Sequence, residues 1–133
     1  MRGRTDSLIA AAFALGATAL FLAMPLAGLR AAGDHEAGAD VFDAYCSDCH
    51  SVSPKGTNRK GPSLYRVLGR RAGTVPGFDY SQGMAKSGLV WNPQNLNVYL
   101  ANPRGMFADG KMKKGLPRPE DRANVIAYLA NPD

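Results

Sequence analysis

The chain contains two cysteines in all. They stand three apart, with a histidine directly after the second: Cys46-Ser47-Asp48-Cys49-His50. On a helical turn, residues three apart share one face. Two thiols so spaced reach the two vinyl groups of a single porphyrin, and the next residue projects its imidazole beneath the ring toward the iron. The pentapeptide therefore reads as a site of covalent haem c attachment through Cys46 and Cys49, with His50 as axial ligand. The competing readings are weaker. A structural zinc site needs four ligands, and outside the motif the chain offers only His35 and carboxylates. A thioredoxin-like redox pair sits near a strand–helix–strand pattern, and no stretch here reads as a convincing strand. A disulfide would close only a tiny loop.

The remaining length sets the organisation. A chain of 133 residues is one domain with room for an appendage. Residues 1–32 are that appendage. Arg2 and Arg4 precede residues 8–29, which are 22 residues without a charge, and Arg30 closes the run. This pattern directs the N-terminus to the cytoplasm and the rest outward. An exported domain suits a haem whose thiols must be kept available outside the cytoplasm. The apolar run is longer than the usual signal-peptide core of about 7–15 residues, and about 18 apolar residues already span a membrane. Against an anchor, the run is Ala-rich and Pro25 lies near its end. Cleaved signal and retained anchor both stay open, and either leaves residues 33–133 as a domain in the periplasm, soluble or tethered to the outer face of the inner membrane.

That domain carries 13 Lys and Arg against 10 Asp and Glu. The excess is small, and two haem propionates would reduce it further, so the basic balance is no nucleic-acid signal. Helical signals recur along it. Residues 36–49 carry Val41, Phe42 and Tyr45 at helical spacing, with Asp34 and Glu36 suited to a helix start. Gly38 costs helix stability there and points to a close approach. Residues 61–69 read as a short helix stopped by Gly69, and residues 81–87 as another ended by Gly88. Asn92-Pro93 opens a helix that stops before Pro103. Residues 104–118 lack periodicity, and Pro119-Glu120-Asp121 opens the last helix. The domain is all-α with long irregular links, and such links in a small domain usually wrap something or act. His35 reads as a surface histidine.

The chain resembles the class I c-type cytochromes, small monohaem proteins of bacteria and mitochondria, over nearly all of residues 33–132. The matching segments begin with Gly38 and Phe42, the haem motif, Gly61-Pro62-Ser63-Leu64, Gly69-Arg70 and Pro76-Gly77-Phe78-Asp79-Tyr80. They continue with Met84 to Trp91, Tyr99-Leu-Ala-Asn-Pro103, Lys111-Met112 and residues 120–129. The segments around Met84 and Arg122 look most like the alphaproteobacterial branch. The resemblance implies the cytochrome c fold, with N- and C-terminal helices crossing and loops wrapped around one covalent haem. It implies that Pro62 offers its carbonyl to His50, that Arg70, Tyr80, Ser81 and Trp91 hold the propionates, and that Tyr99 hydrogen-bonds the axial sulfur. Gly38 and Phe42 would pack against Tyr128.

For the distal ligand, a thioether is a soft neutral donor, and His/Met ligation raises the haem potential. Met112 lies in the Gly- and Lys-rich segment that must fold over the haem; Met106 stays open on the residues alone, and Met84 reads as core filler. The resemblance selects Met112, nine residues after Pro103. Its loop departs from the family's Pro-Gly-Thr-Lys-Met pattern. Gly110 stands for the threonine, a lysine for the shielding aromatic, and the loop is one residue short after the Met. A looser, wetter loop with a lowered potential or an exchangeable ligand is the expectation.

With both axial positions filled, what remains is one-electron exchange, so the expected function is an electron carrier and not an enzyme. It would shuttle between respiratory or photosynthetic membrane complexes, or periplasmic dehydrogenases, and an oxidase. Lys86, Lys111, Lys113, Lys114 and Arg104 either form a basic ring that steers it onto acidic partners or are ordinary solvated surface. Such partners are a quinol-oxidising complex, a terminal oxidase, a reaction centre or a dehydrogenase. No nucleic acid is expected, membrane contact would come through residues 8–29, and the chain would be a monomer. The alternatives are a haem subunit of a larger oxidoreductase, or a ligand-binding or peroxidatic haem protein if the Met loop opens.

Overall fold

The computed structural model describes residues 33–132. The expectations for residues 1–32 lie outside them. Five helices follow in order: α1 His35–Tyr45, α2 Gln82–Lys86, α3 Pro93–Ala101, α4 Pro103–Met106 and α5 Pro119–Ala130. Among the described residues the only β pairing is a single antiparallel bridge between Arg71 and Val90. The all-helical class read from the sequence is the one observed.

Local signals account for the helix starts. Asp34 caps α1 by accepting from the Ala37 amide at 2.8 Å. Asn92 and Asn95 form a reciprocal capping box at the start of α3, with Pro93 in the first turn. Asn102 ends α3 and caps α4, accepting from the Gly105 amide at 3.0 Å. Pro119, Glu120 and Asp121 occupy the first turn of α5. One cluster of buried side chains joins these elements: Phe42 from α1, Leu96, Tyr99 and Leu100 from α3, and Val125, Ile126 and Leu129 from α5.

The central contact is α1 against α5. Gly38 lies on the Asn124 carbonyl and the Tyr128 side chain, so close that a Cβ there would collide with both. Phe42 packs on Tyr128 with ring centroids 5.6 Å apart. His35 is no idle surface residue. Its Nε2 lies 3.0 Å from the Asn131 carbonyl at the end of α5, and its ring stands edge-on to Tyr128.

Three boundaries differ from the sequence reading. α1 stops at Tyr45 rather than running on to Cys49. The amides of Cys46 and Ser47 both donate to the Phe42 carbonyl, and those of Cys49 and His50 both donate to the Cys46 carbonyl, so the helical ladder tightens into turns. Residues 61–69 form no helix. The Pro62 carbonyl accepts from His50, the Ser63 and Tyr65 carbonyls accept from Arg70, and the Leu64 amide donates to Ser51. Arg66 also sits at φ 53°, a left-handed conformation that interrupts a helix. Finally, α4 forms inside the stretch read as irregular, because Asn102-Pro103 starts a turn irrespective of hydrophobic periodicity.

Replacing Gly38 by Ala sets two effects against each other. Alanine is the better helix former by about 1 kcal/mol. The new methyl collides with the α5 backbone, and such overpacking costs about 1–3 kcal/mol. The expected outcome is a lower melting temperature. An unchanged or higher one would mean that the helix crossing is slack.

Candidate haem site

Behind the α1–α5 crossing lies a largely apolar cavity of about 390 Å³. Leu64, Val67, Leu96, Leu100, Val125 and Leu129 form much of its wall. Cys46, Cys49 and His50 line it from the turns after α1, and Met84 and Met112 line it from α2 and the loop before α5. Met106 is not among its lining residues, although all three methionines touch the hydrophobic cluster. Burial, with help from the neighbouring Cys49, pushes the Cys46 thiol up to about 11, so it is neutral at physiological pH.

His50 is held on two sides, by a hydrogen bond and by a close backbone contact. Its Nδ1 lies 2.7 Å from the Pro62 carbonyl. A carbonyl only accepts, so Nδ1 carries the proton and Nε2 keeps its lone pair, the tautomer a metal ligand requires. Burial lowers the imidazole's pKa below its ordinary value, with the Pro62 bond opposing. Gly61 backs directly onto the ring, where any Cβ would collide. Among the bonds that brace the loop presenting Pro62 are Gly61 amide to Cys49 carbonyl, Ser51 Oγ to Thr57 carbonyl and Asn58 Nδ2 to Pro76 carbonyl.

Arg70, Tyr80, Ser81, Trp91 and Tyr99 all line the cavity. Arg70 donates from Nη1 to the Tyr65 carbonyl at 2.9 Å and from Nη2 to the Ser63 carbonyl at 2.8 Å. Its charge is partly desolvated, which lowers its pKa, while Tyr80 opposes. Trp91 and Tyr99 are buried with rings 5.1 Å apart, and Tyr99 also meets Phe107. Burial pushes the Tyr99 phenol up to about 12. Ser81 caps α2, accepting from the Met84 amide.

Of the basic residues singled out from the sequence, Lys111, Lys113 and Lys114 line the cavity, whereas Lys86 and Arg104 do not. Lys86 donates to Gln82, and Arg104 to the Ala108 carbonyl. Sequence reasoning missed Lys60 and Arg71, which also line it; neither sits in a recognisable pattern. It also missed two ties on the Met112 loop. Lys111 binds the carbonyl and carboxylate of Asp79, and Asp109 accepts from the Gly83 amide at 2.8 Å. The cavity therefore fits a haem: an apolar wall, two thiols beside a neutral imidazole with a free nitrogen, thioethers, and cations for the propionates.

Comparison with known proteins agrees. Residues 35–132 match the family model for cytochrome c. The chain is 45% identical over 105 residues to cytochrome c2 of Rhodomicrobium vannielii, covering 78% of this chain and 83% of that protein. It is 46% identical over 98 residues to cytochrome c of Tetrahymena pyriformis, covering 73% and 87%. The solved structure of cytochrome c2 from Rhodospirillum centenum superposes with a TM-score of 0.67 at 38% identity, covering 73% of this chain and 96% of that one. The chain belongs to the cytochrome c family. It is a class I monohaem c-type cytochrome, an electron-transfer protein that carries one covalently bound haem c.

Arg70 holds two backbone carbonyls beside this cavity, so its loss would release both. Arg70→Leu is expected to destabilise the haem-loaded protein by about 1.5–3 kcal/mol, the size of hydrogen bonds to a charged group. Arg70→Lys should recover only part of this, because an ammonium lacks the fork that spans both acceptors. Denaturant titration measures both.

Proposed function

From that membership we propose that the chain is a one-electron carrier of the periplasm, with haem c joined to Cys46 and Cys49 and its iron held between His50 and Met112. One observation carries the ligand assignment. Of the two methionines that follow Pro103, Met112 lines the same cavity as His50 and the two thiols and Met106 does not. The bound haem supplies reversible one-electron exchange. The chain's residues do the rest. Pro62 orients His50 and keeps it in the ligating tautomer. Trp91 and Tyr99 exclude water from the distal wall, and Tyr99, protonated at all ordinary pH, has a proton to offer the axial sulfur. Arg70, Tyr80, Ser81 and Trp91 are positioned to receive the propionates. Residues 1–32 would export the domain, as a cleaved signal or a retained anchor.

Redox partners with acidic faces suit the cavity's lining. Lys60, Arg71, Lys113 and Lys114 are exposed cations on it, and no Asp or Glu is among its lining residues. Quinol-oxidising complexes, oxidases, reaction centres and dehydrogenases are the partner classes in view, with the carrier acting as a monomer.

The ligand assignment is tested by the optical spectra of the haem-matured protein, oxidised and reduced, with and without carbon monoxide. The expected result is a low-spin spectrum with the far-red Met–iron band and no reaction with carbon monoxide. Met112→Ala should abolish the band and admit carbon monoxide, while Met84→Ala leaves both unchanged. A high-spin wild type that binds carbon monoxide promptly would transfer the protein to the ligand-binding or peroxidatic class.

The docking assignment is tested by stopped-flow electron transfer to an acidic redox partner at low and high salt. Lys113→Glu combined with Lys114→Glu should slow association at low salt by about tenfold or more. Lys86→Glu should have little effect. Equal effects from both would show that net charge, and not this face, governs docking.

A further inference from the structure

Two anchors flank Gly110 on the approach to Met112. The Gly110 amide closes a turn onto the Phe107 carbonyl at 2.8 Å, and Arg104 holds the Ala108 carbonyl at its crest. This turn aims Asp109 at the first turn of α2. Its Oδ2 accepts from the Gly83 amide at 2.8 Å, while Ser81 Oγ accepts from the Met84 amide. A helix leaves its first amides without internal partners. In α2 one such amide is met by its own cap and another by the Met loop. The fit is close, because a Cβ on Gly83 would come within 2.5 Å of Asp109 Oδ1. Gly83 is thus the residue that admits the carboxylate. The Gly83 amide, and after it the Ser81 hydroxyl, holds this carboxyl below its ordinary range. At neutral pH it is ionised and acts only as an acceptor.

Beyond the two anchors the chain is loosely held. Among the described residues, residues 112–115 make no hydrogen bond. The next fixed point is the Leu116 amide, which donates to the Leu100 carbonyl at 2.7 Å. The second tie, from the exposed Lys111 ammonium to the Asp79 carbonyl and carboxylate, includes an exposed ion pair, and such pairs contribute little.

We propose that Asp109 is the positioning residue of the distal ligand: docked on the first turn of α2, it fixes the segment that carries Met112 over the haem cavity. It does so on a loop that has Gly110 and Lys114 where the resemblance led one to expect a threonine and an aromatic. The proposal rests on Met112 being the axial ligand.

The test follows the far-red Met–iron band of the haem-matured protein against pH, together with its reduction potential. Asp109→Ala should lower the pH at which half the band is lost by about one unit, an about tenfold easier displacement of the thioether, as expected for loss of one helix cap. The potential should fall with it. Asp109→Asn keeps an acceptor oxygen and should recover most of both. Gly83→Ala crowds the carboxylate away and should act like Asp109→Ala, and it carries the test should Asp109→Ala fail to mature. Asp79→Ala should do much less. A wild-type band whose midpoint and potential are unmoved by Asp109→Ala or Gly83→Ala overturns the positioning role, even if the melting temperature falls. A wild type with no far-red band, and a Met112→Ala spectrum identical to it, overturns the ligand assignment and this role together.

Discussion

The bond from His50 Nδ1 to the Pro62 carbonyl joins the helical entry to the cavity with the loop that closes beneath it. Much of the surrounding chain is arranged to keep it. Gly61 must lack a side chain because the imidazole lies against its backbone. The Gly61 amide returns to the Cys49 carbonyl, so the loop is locked to the cysteine motif itself. Asn58 accepts from the Ser63 amide and donates to the Pro76 carbonyl, which spans the loop to the next segment. Once the Pro62 carbonyl faces His50, the carbonyls of Ser63 and Tyr65 face Arg70. A single side-chain orientation thus fixes the direction of several peptide groups, and that accounts for a segment which is helical by composition yet irregular in fact.

What the sequence made legible is what is local. The capping pairs at Asp34 and Asn92, and the proline and acids in the first turn of α5, act within four residues, and the helices begin where they stand. The Cys46 and Cys49 spacing is local as well. Gly38 was legible for a different reason: a glycine inside an apolar helical face has a propensity cost that only a close neighbour offsets. What stayed illegible depends on partners far along the chain. His35 meets Asn131, Asp109 meets Gly83 and Lys111 meets Asp79, and no periodicity announces any of these. The end of α1 is not legible in the spacing of Val41, Phe42 and Tyr45, because it is set by hydrogen bonds past Tyr45 that converge on two carbonyls.

The Met112 loop carries contacts that a missing pattern does not announce. Loss of a threonine and an aromatic reads, by subtraction, as a loosened loop. The structure adds contacts that subtraction ignores, since Asp109 and Lys111 both face the segment from Asp79 to Gly83. They lie on the approach to Met112, whereas residues 113–115 on its far side gain nothing comparable. Any loosening would therefore be confined to one side of Met112.

This asymmetry also divides the labour among the loop's cations. Lys111 is engaged by Asp79, so its charge is largely cancelled at the distances over which a partner is sensed. Lys113 and Lys114 are exposed and form no ion pair among the described residues. An aromatic in their place would shield the cavity better but would steer nothing. Lysines there would leave the cavity's edge wetter than an aromatic would, and solvent near a redox centre favours its more highly charged state. Toward an acidic partner they would also raise the rate of encounter, most strongly at low salt. If Met112 is the ligand and this edge docks a partner, the loop's composition would be a compromise between insulating the iron and finding that partner, and the anchors that precede Met112 do not involve the residues that follow it.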